Sequence, residues 1–382
     1  MLLTALFKAL QMAGAMGWEI LWPLVLGFAL SAVVQAVVSH REMSRLLPDD
    51  SPRSLAIACG LGAASSSCSY AAVALARSVF RRGADFTAAM AFQLASTNLV
   101  LELGVILIVL MGWRFMLAES LGALVLVVAM AILFRLLLTR SLVERAREQA
   151  DKGFAGRMEG HAAMDMSVKE DGSLWRRILS QKGLTAISHY FVMDWASVWM
   201  DIAGGLLIAG ALAAWVPPSA WRAFFLVGHP ILAKLWGPLV GPLVAMLSFV
   251  CSVGNIPLAA VLWNGGISFG GVVAFIYADL IILPILNIYR KYYGLKAAAF
   301  LFLTQYAAMV FAAYVVEVCF GVVGLIPKPG GATVAAASVS WNYTTWLNIV
   351  SLVLAGALLV RFATTGGPAM LSMMNKPAHE HG

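Results

Sequence analysis

The sequence predicts an all-α integral membrane protein of two structurally repeated halves, expected to be inverted relative to each other. Each half is expected to contain a broken or re-entrant helical hairpin, and the chain about 7–9 transmembrane segments. Three observations carry this reading. Apolar residues make up 61% of the chain and charged residues only 12%, with a mean hydropathy of +0.85; soluble domains carry roughly 25% charged residues. Apolar stretches recur at the ~20-residue length that spans a bilayer core. A motif in the first half returns in the second, 183 positions later.

The elements follow in order. Residues 18–38 form the first apolar stretch. Residues 55–80 are apolar but interrupted by Ser65, Ser66, Ser67, Cys68 and Ser69. Residues 84–111 carry Gln93, Asn98 and Glu102 within a long apolar run, and residues 115–138 are the cleanest span. A polar stretch follows, with nine Lys+Arg and seven Asp+Glu over residues 139–193 and no run long enough to cross. Apolar character resumes at residues 199–216. Residues 238–262 are again broken, around Cys251, Ser252, Gly254, Asn255 and Pro257; residues 269–289, 295–326 and 343–362 complete the pattern. The organisation is therefore residues 1–138 as a first transmembrane repeat, 139–193 as a cytoplasmic polar linker, 194–365 as a second repeat plus an extra helix, and 366–382 as a polar tail. His379 and His381 in that tail read as a frayed end.

The repeat rests on identities at one constant offset. Cys68-Ser69 matches Cys251-Ser252, Leu75-Ala76 matches Leu258-Ala259, and Gly83 with Phe86 matches Gly266 with Phe269. Ala91, Phe92 and Ala95 match Ala274, Phe275 and Ala278. Duplicated halves are a common way to build a transporter. If the basic linker is cytoplasmic, the positive-inside rule places Arg77, Arg81, Arg82, Arg290, Lys291 and Lys296 inside, provided that both broken segments re-enter. Each broken segment spans about 25 residues, too few for two crossings.

The net charge of +7 then reflects loops beside anionic lipid; no zinc-finger spacing, recognition helix or aromatic–basic interleaving suggests nucleic acid. The four cysteines lie in apolar stretches rather than in a loop framework. Lys8 interrupts the first apolar run, so no cleavable leader is expected. Expected partners are the bilayer and a small solute or ion, a homo-oligomer is compatible with the pattern, and no cofactor is expected. The location expected is the cell (inner) membrane.

Irregular backbone inside a membrane is tolerated only where protein or a water-filled cavity satisfies it. The two breaks therefore nominate a binding site: Ser65, Ser66, Ser67, Cys68 and Ser69 from the first, Cys251, Ser252 and Asn255 from the second, with Asn98 nearby in sequence. Thiolate is a soft ligand, so Cys68 and Cys251 are candidates for a soft metal or a trivalent arsenical. Small residues packing helices closely would give a similar pattern. Ionisable groups inside spans default to functional candidates, which selects Glu102 and Asp279 for ion or proton coupling. Glu119, near one end of its span, reads as interfacial; Glu317 is deeper but has no aligned counterpart; His229 reads as structural.

At SSSCSYAAVALARSVFRRGADFTAAMAFQLASTN and CSVGNIPLAAVLWNGGISFGGVVAFIYA the sequence resembles a predicted-permease family that includes ArsP-type organoarsenical efflux permeases and YraQ-like proteins. The resemblance covers residues 18–138 and 197–320. It implies a permease rather than an enzyme, with a trivalent organoarsenical as one candidate cargo. With no Walker motif and no catalytic triad, transport would be passive or coupled to an ion gradient. The alternatives are a membrane thiol–disulfide oxidoreductase using Cys68 and Cys251, and a non-transporting membrane assembly subunit.

Overall fold

A computed structural model of the chain describes residues 2–37, 46–65, 69–81, 83–151, 174–248, 252–328, 332 and 343–374. The described residues are helical and contain no strand. In chain order the first half holds α1 (Leu2–Val37), α2 (Pro52–Ser65), α3 (Ser69–Arg81), α4 (Phe86–Asn98), α5 (Leu101–Met111) and α6 (Trp113–Leu137). A polar connection carries α7 (Arg140–Asp151) and α8 (Leu174–Leu179). The second half holds α9 (Gln181–Trp215), α10 (Pro218–Phe224), α11 (Pro230–Ser248), α12 (Ser252–Asn264) and α13 (Phe269–Tyr277). A 3-10 turn (Ala278–Leu280) leads into α14 (Leu283–Tyr293) and α15 (Leu295–Val323), followed by α16 (Tyr343–Thr364) and α17 (Gly367–Met374).

Among the described residues, five helical stretches are long and apolar enough to cross a membrane, or seven if each of two bent pairs counts as one span. The second bent pair, residues 269–280 and 283–293, turns by 41° at the 3-10 segment. The reason to place these helices in lipid is visible along α6. Its buried face carries Ala118, Glu119, Gly122, Ala123, Leu126 and Met130. Its exposed face carries Leu121, Leu124, Val128 and Ile132, apolar like the core. A water-facing helix would be polar there.

The most enclosed elements are α4 and α13, in which every residue is buried. Around them α6 packs on α15, α2 and α3 pack on α4, and α11 and α12 pack on α13. The two long helices α1 and α9 pair with each other, and α16 leans on both. The halves also cross over: α3 reaches α14, and α12 reaches α5.

Small residues make the closest approaches. Along α2 the buried positions are Ser54, Ala58, Gly62 and Ser65, one stripe at helical spacing. A Cβ on Gly62 would lie 2.5 Å from the Phe92 carbonyl of α4. On α11, a Cβ on Gly237 would lie 2.1 Å from Ser268 Oγ, and one on Gly241 2.5 Å from the Gly271 carbonyl. The turn between α3 and α4 contains Gly83 at φ +106°, and the turn between α12 and α13 contains Gly266 at φ +97°; a Cβ is disfavoured in that region.

Several expectations shift. The first helix begins at Leu2, well before residue 18. The sequence boundary at 193 falls inside α9, which runs unbroken from Gln181 to Trp215. Asn255 and Pro257, expected in the second break, belong to a helix rather than to unwound chain, and residues 249–251 lie outside the described residues. Pro238, expected to start that element, lies within α11 together with Pro242. The arm is therefore longer than expected: α11 has 19 residues and is of spanning length, whereas α2 has 14 and α3 has 13.

Candidate functional site

Ser69 is the first described residue of α3 and is fully buried. The break between α13 and α14 places Asp279 in the 3-10 turn, also fully buried. The two meet: the Ser69 hydroxyl donates to Asp279 Oδ2 at 2.6 Å, across 210 positions of sequence. A charged buried carboxylate needs such donors, because burial without hydrogen bonds or a counter-charge is costly.

A polar network adjoins this contact. Gln93 of α4 donates its side-chain amide to the Tyr289 hydroxyl of α14, and both are fully buried. Tyr289 lies within electrostatic reach of Asp279, and Gln305 of α15 lies beside it. The Tyr277 hydroxyl donates to the main-chain carbonyl of Glu119 at 2.7 Å. Gly122 of α6 makes room for that hydroxyl, since a Cβ there would stand 2.3 Å from it.

Glu119 corrects the interfacial reading. It is 1% exposed and within electrostatic reach of Asp279. The sequence held a signal for this: Ala118, Glu119, Gly122 and Ala123 share the small-residue face of α6. Glu102 lies in the first turn of α5 and is buried, within electrostatic reach of a second acid, Asp194 of α9, a buried residue with no sequence signal of its own. Gly27 of α1 fits against Glu102 so closely that a Cβ would fall 2.1 Å from the Glu102 Cβ. Glu317 accepts from the Gly270 amide at 2.6 Å and has Lys234 at 3.8 Å.

Of the other nominated residues, Ser65 is buried at the end of α2 and donates to the Gly62 carbonyl at 3.0 Å. Asn98 ends α4, where it donates to Leu94 and Thr97, and its Oδ1 has no partner. Asn255 is fully buried on α12. Ser66, Ser67, Cys68 and Cys251 lie outside the described residues, as does the side chain of Ser252. Among the described residues no group of three or more His, Cys, Asp or Glu is placed to hold a metal ion. Cys59 on α2 and Cys319 on α15 are free thiols.

The arrangement is an enclosed polar centre where the start of a short helix in one half meets the break of a spanning helix in the other. Comparisons with known proteins agree in kind. The sequence profile of the ArsP_1 family, described as a predicted permease, matches residues 5–318. A protein of Mycobacterium tuberculosis (strain ATCC 25618 / H37Rv), named Putative permease Rv2963, is 61% identical over 348 residues, which cover 90% of this chain and 86% of that protein. No solved structure matches the chain.

Proposed function

The chain belongs to the ArsP_1 predicted-permease family and is a multi-pass membrane protein; from that premise we propose that it is a secondary transporter of the cell membrane. In this reading a small solute or ion passes through the polar centre between two repeated broken hairpins, and the protein performs no covalent chemistry on its cargo. The observation that carries it is the buried Ser69–Asp279 contact, which joins the start of α3 to the bend between α13 and α14. A transporter needs its site where two units can move against each other, and discontinuous helices at a repeat interface supply it.

The duplication has support at the level of elements. At the 183-residue offset, Phe86 and Phe269 begin matching helices. Asp85 caps Ala88 as Ser268 caps Gly271. Gly83 and Gly266 share a positive φ at matching turns. The stripe of Ala58 and Gly62 corresponds to Gly241 and Ala245. We read the halves as inverted, with residues 139–193 cytoplasmic, on the charge argument above.

Asp279 and Glu102 are read as ion or proton coupling sites, since a charge at mid-membrane costs about 2.5–3.5 kcal/mol on insertion scales and persists only with a role or a partner. The cargo class proposed first is a thiophilic one, a trivalent organoarsenical held by Cys68 and Cys251, because two aligned thiols suit a soft centre with two open valences. The test is uptake of trivalent methylarsenite into everted membrane vesicles carrying wild type, Asp279→Asn, Ser69→Ala or the double variant Cys68→Ser/Cys251→Ser. Flux in wild type that Asp279→Asn abolishes supports the permease reading. Flux retained in the double cysteine variant removes the thiol site and leaves the permease. Equal flux in all four, matching vesicles without the protein, retires both.

A further inference from the structure

The described interior encloses five carboxylates: Glu102, Glu119, Asp194, Asp279 and Glu317. The buried cationic side chains among the described residues are Arg77 and His189, and both are engaged elsewhere. Arg77 donates to the Ala150 carbonyl, and His189 bonds Thr365. Glu317 has Lys234 and the Gly270 amide. The charge that reaches Glu119 is that of another acid, Asp279.

The two acids differ in what they touch. Asp279 accepts the Ser69 hydroxyl at 2.6 Å, a bond that favours the ionised form. Glu119 Oε1 is buried and has no hydrogen-bond partner. The nearby Tyr277 hydroxyl cannot serve that oxygen while it donates to the Glu119 main-chain carbonyl. On α4, Gln93 Oε1 is a second buried oxygen with no partner, on a side chain whose other end holds Tyr289 beside Asp279. Acceptor oxygens without donors call for a positive charge. Two carboxylates that cannot both ionise cheaply in an enclosed site share one.

We propose that Glu119 and Asp279 form one binding site for a monovalent cation, either a proton or Na+, with Asp279 held as the anion by Ser69 and Glu119 as the exchangeable ligand. This rests on the reading of Asp279 as the coupling site and adds its second ligand, on α6. Loading neutralises the pair. Unloading leaves two like charges between α6 and the α13–α14 break, which favours their separation. Among the described residues, the titratable groups in electrostatic contact with the pair include Tyr277 from α13 and Tyr289 from α14. Near Tyr289, α4 and α15 present the uncharged amides of Gln93 and Gln305, while Glu102 of α5 is matched with Asp194 instead.

The test needs no cargo. Infrared difference spectra of the purified full-length protein are recorded across pH, and at fixed pH with added Na+. The expected result is a protonated-carboxyl band that fades as pH rises, is lost in Glu119→Gln, and titrates at lower pH in Asp279→Asn, where the neighbouring anion is gone. Fading on Na+ addition at fixed pH identifies Na+ as a ligand; indifference to Na+ identifies the proton alone. Glu119→Asp, which keeps a carboxyl, serves if the glutamine variant does not fold; it is expected to move the band. Spectra of either Glu119 variant that match wild type in band and titration overturn the proposal. Absent vesicle flux with the band behaving as expected would sink the permease reading and leave the cation site standing.

Discussion

Ser69 begins a helix, is fully buried, and gives its hydroxyl to a carboxylate 210 positions away. Ser69→Ala would remove that donor from the Asp279 carboxylate. Hydrogen bonds to charged groups contribute about 1.5–3 kcal/mol, so a loss of that order is expected in detergent unfolding, with Ser69→Thr close to wild type because it keeps the hydroxyl. Gly122 is a second single-residue requirement. Gly122→Ala puts a methyl 2.3 Å from the Tyr277 hydroxyl, so α6 and α13 must separate or the tyrosine must leave the Glu119 carbonyl. A thermal midpoint below wild type is expected, and Tyr277→Phe should recover part of it. Outside the membrane, the Ser51 hydroxyl, then the Ser54 hydroxyl and the Ser51 amide, hold the Asp49 carboxyl at the start of α2 below the usual carboxylate range. The contribution is fully present above the unfolded value of about 3.9 and lost as pH falls through the lower folded value. Exchange protection at the start of α2 is therefore expected to persist at pH 5 and to fade only below about pH 4.

Among the elements, α7 has a position that its polar composition did not suggest. The sequence reading made it part of a solvated linker. The structure sets it against the ends of α3 and α14. Arg77 of α3 donates twice to the Ala150 carbonyl, at 3.0 and 2.7 Å, and lies over the Tyr292 ring. Arg147 of α7 donates to the Phe80 carbonyl at 2.6 Å and to the Ala84 carbonyl at 3.2 Å. Arg77 thus serves a carbonyl at the end of α7, and Arg147 serves carbonyls at and just after the end of α3, where helical carbonyls lack partners of their own. Because α3 starts at Ser69 and α14 follows the Asp279 turn, α7 grips the far ends of both helices that meet at the centre. Arg147→Ala is expected to speed hydrogen exchange across residues 140–151 while leaving α6 protected; unchanged exchange there would show that the arginine does not hold the helix. Arg77 was legible only as one of several positive-inside residues, since its capping role depends on a helix 73 positions away.

At the level of the whole molecule, the apolar stripes on the outer faces of α6, α15 and α16 define where lipid lies, and the polar connection between the halves defines a side. Ser141→Cys, at an exposed position of α7, is expected to react with an impermeant maleimide in everted vesicles and not in intact cells. The reverse would invert the orientation and with it the positive-inside argument. The membrane class and the family were readable in the chain itself. They depend on composition and on the length of apolar runs, and a bilayer tests those residue by residue. The extent of α11 was not readable. Pro238 signals a helix start in water, but a membrane helix carries proline inside it where neighbours re-satisfy the freed carbonyls. The pairing of acids was not readable either. Glu119 with Asp279, and Glu102 with Asp194, come from helices far apart in sequence, so only their packing decides which charges meet. Sequence alone settles which side chains are too costly to leave in lipid. Tertiary structure settles what each is buried against, because that depends on which helix faces the folding chain turns toward one another.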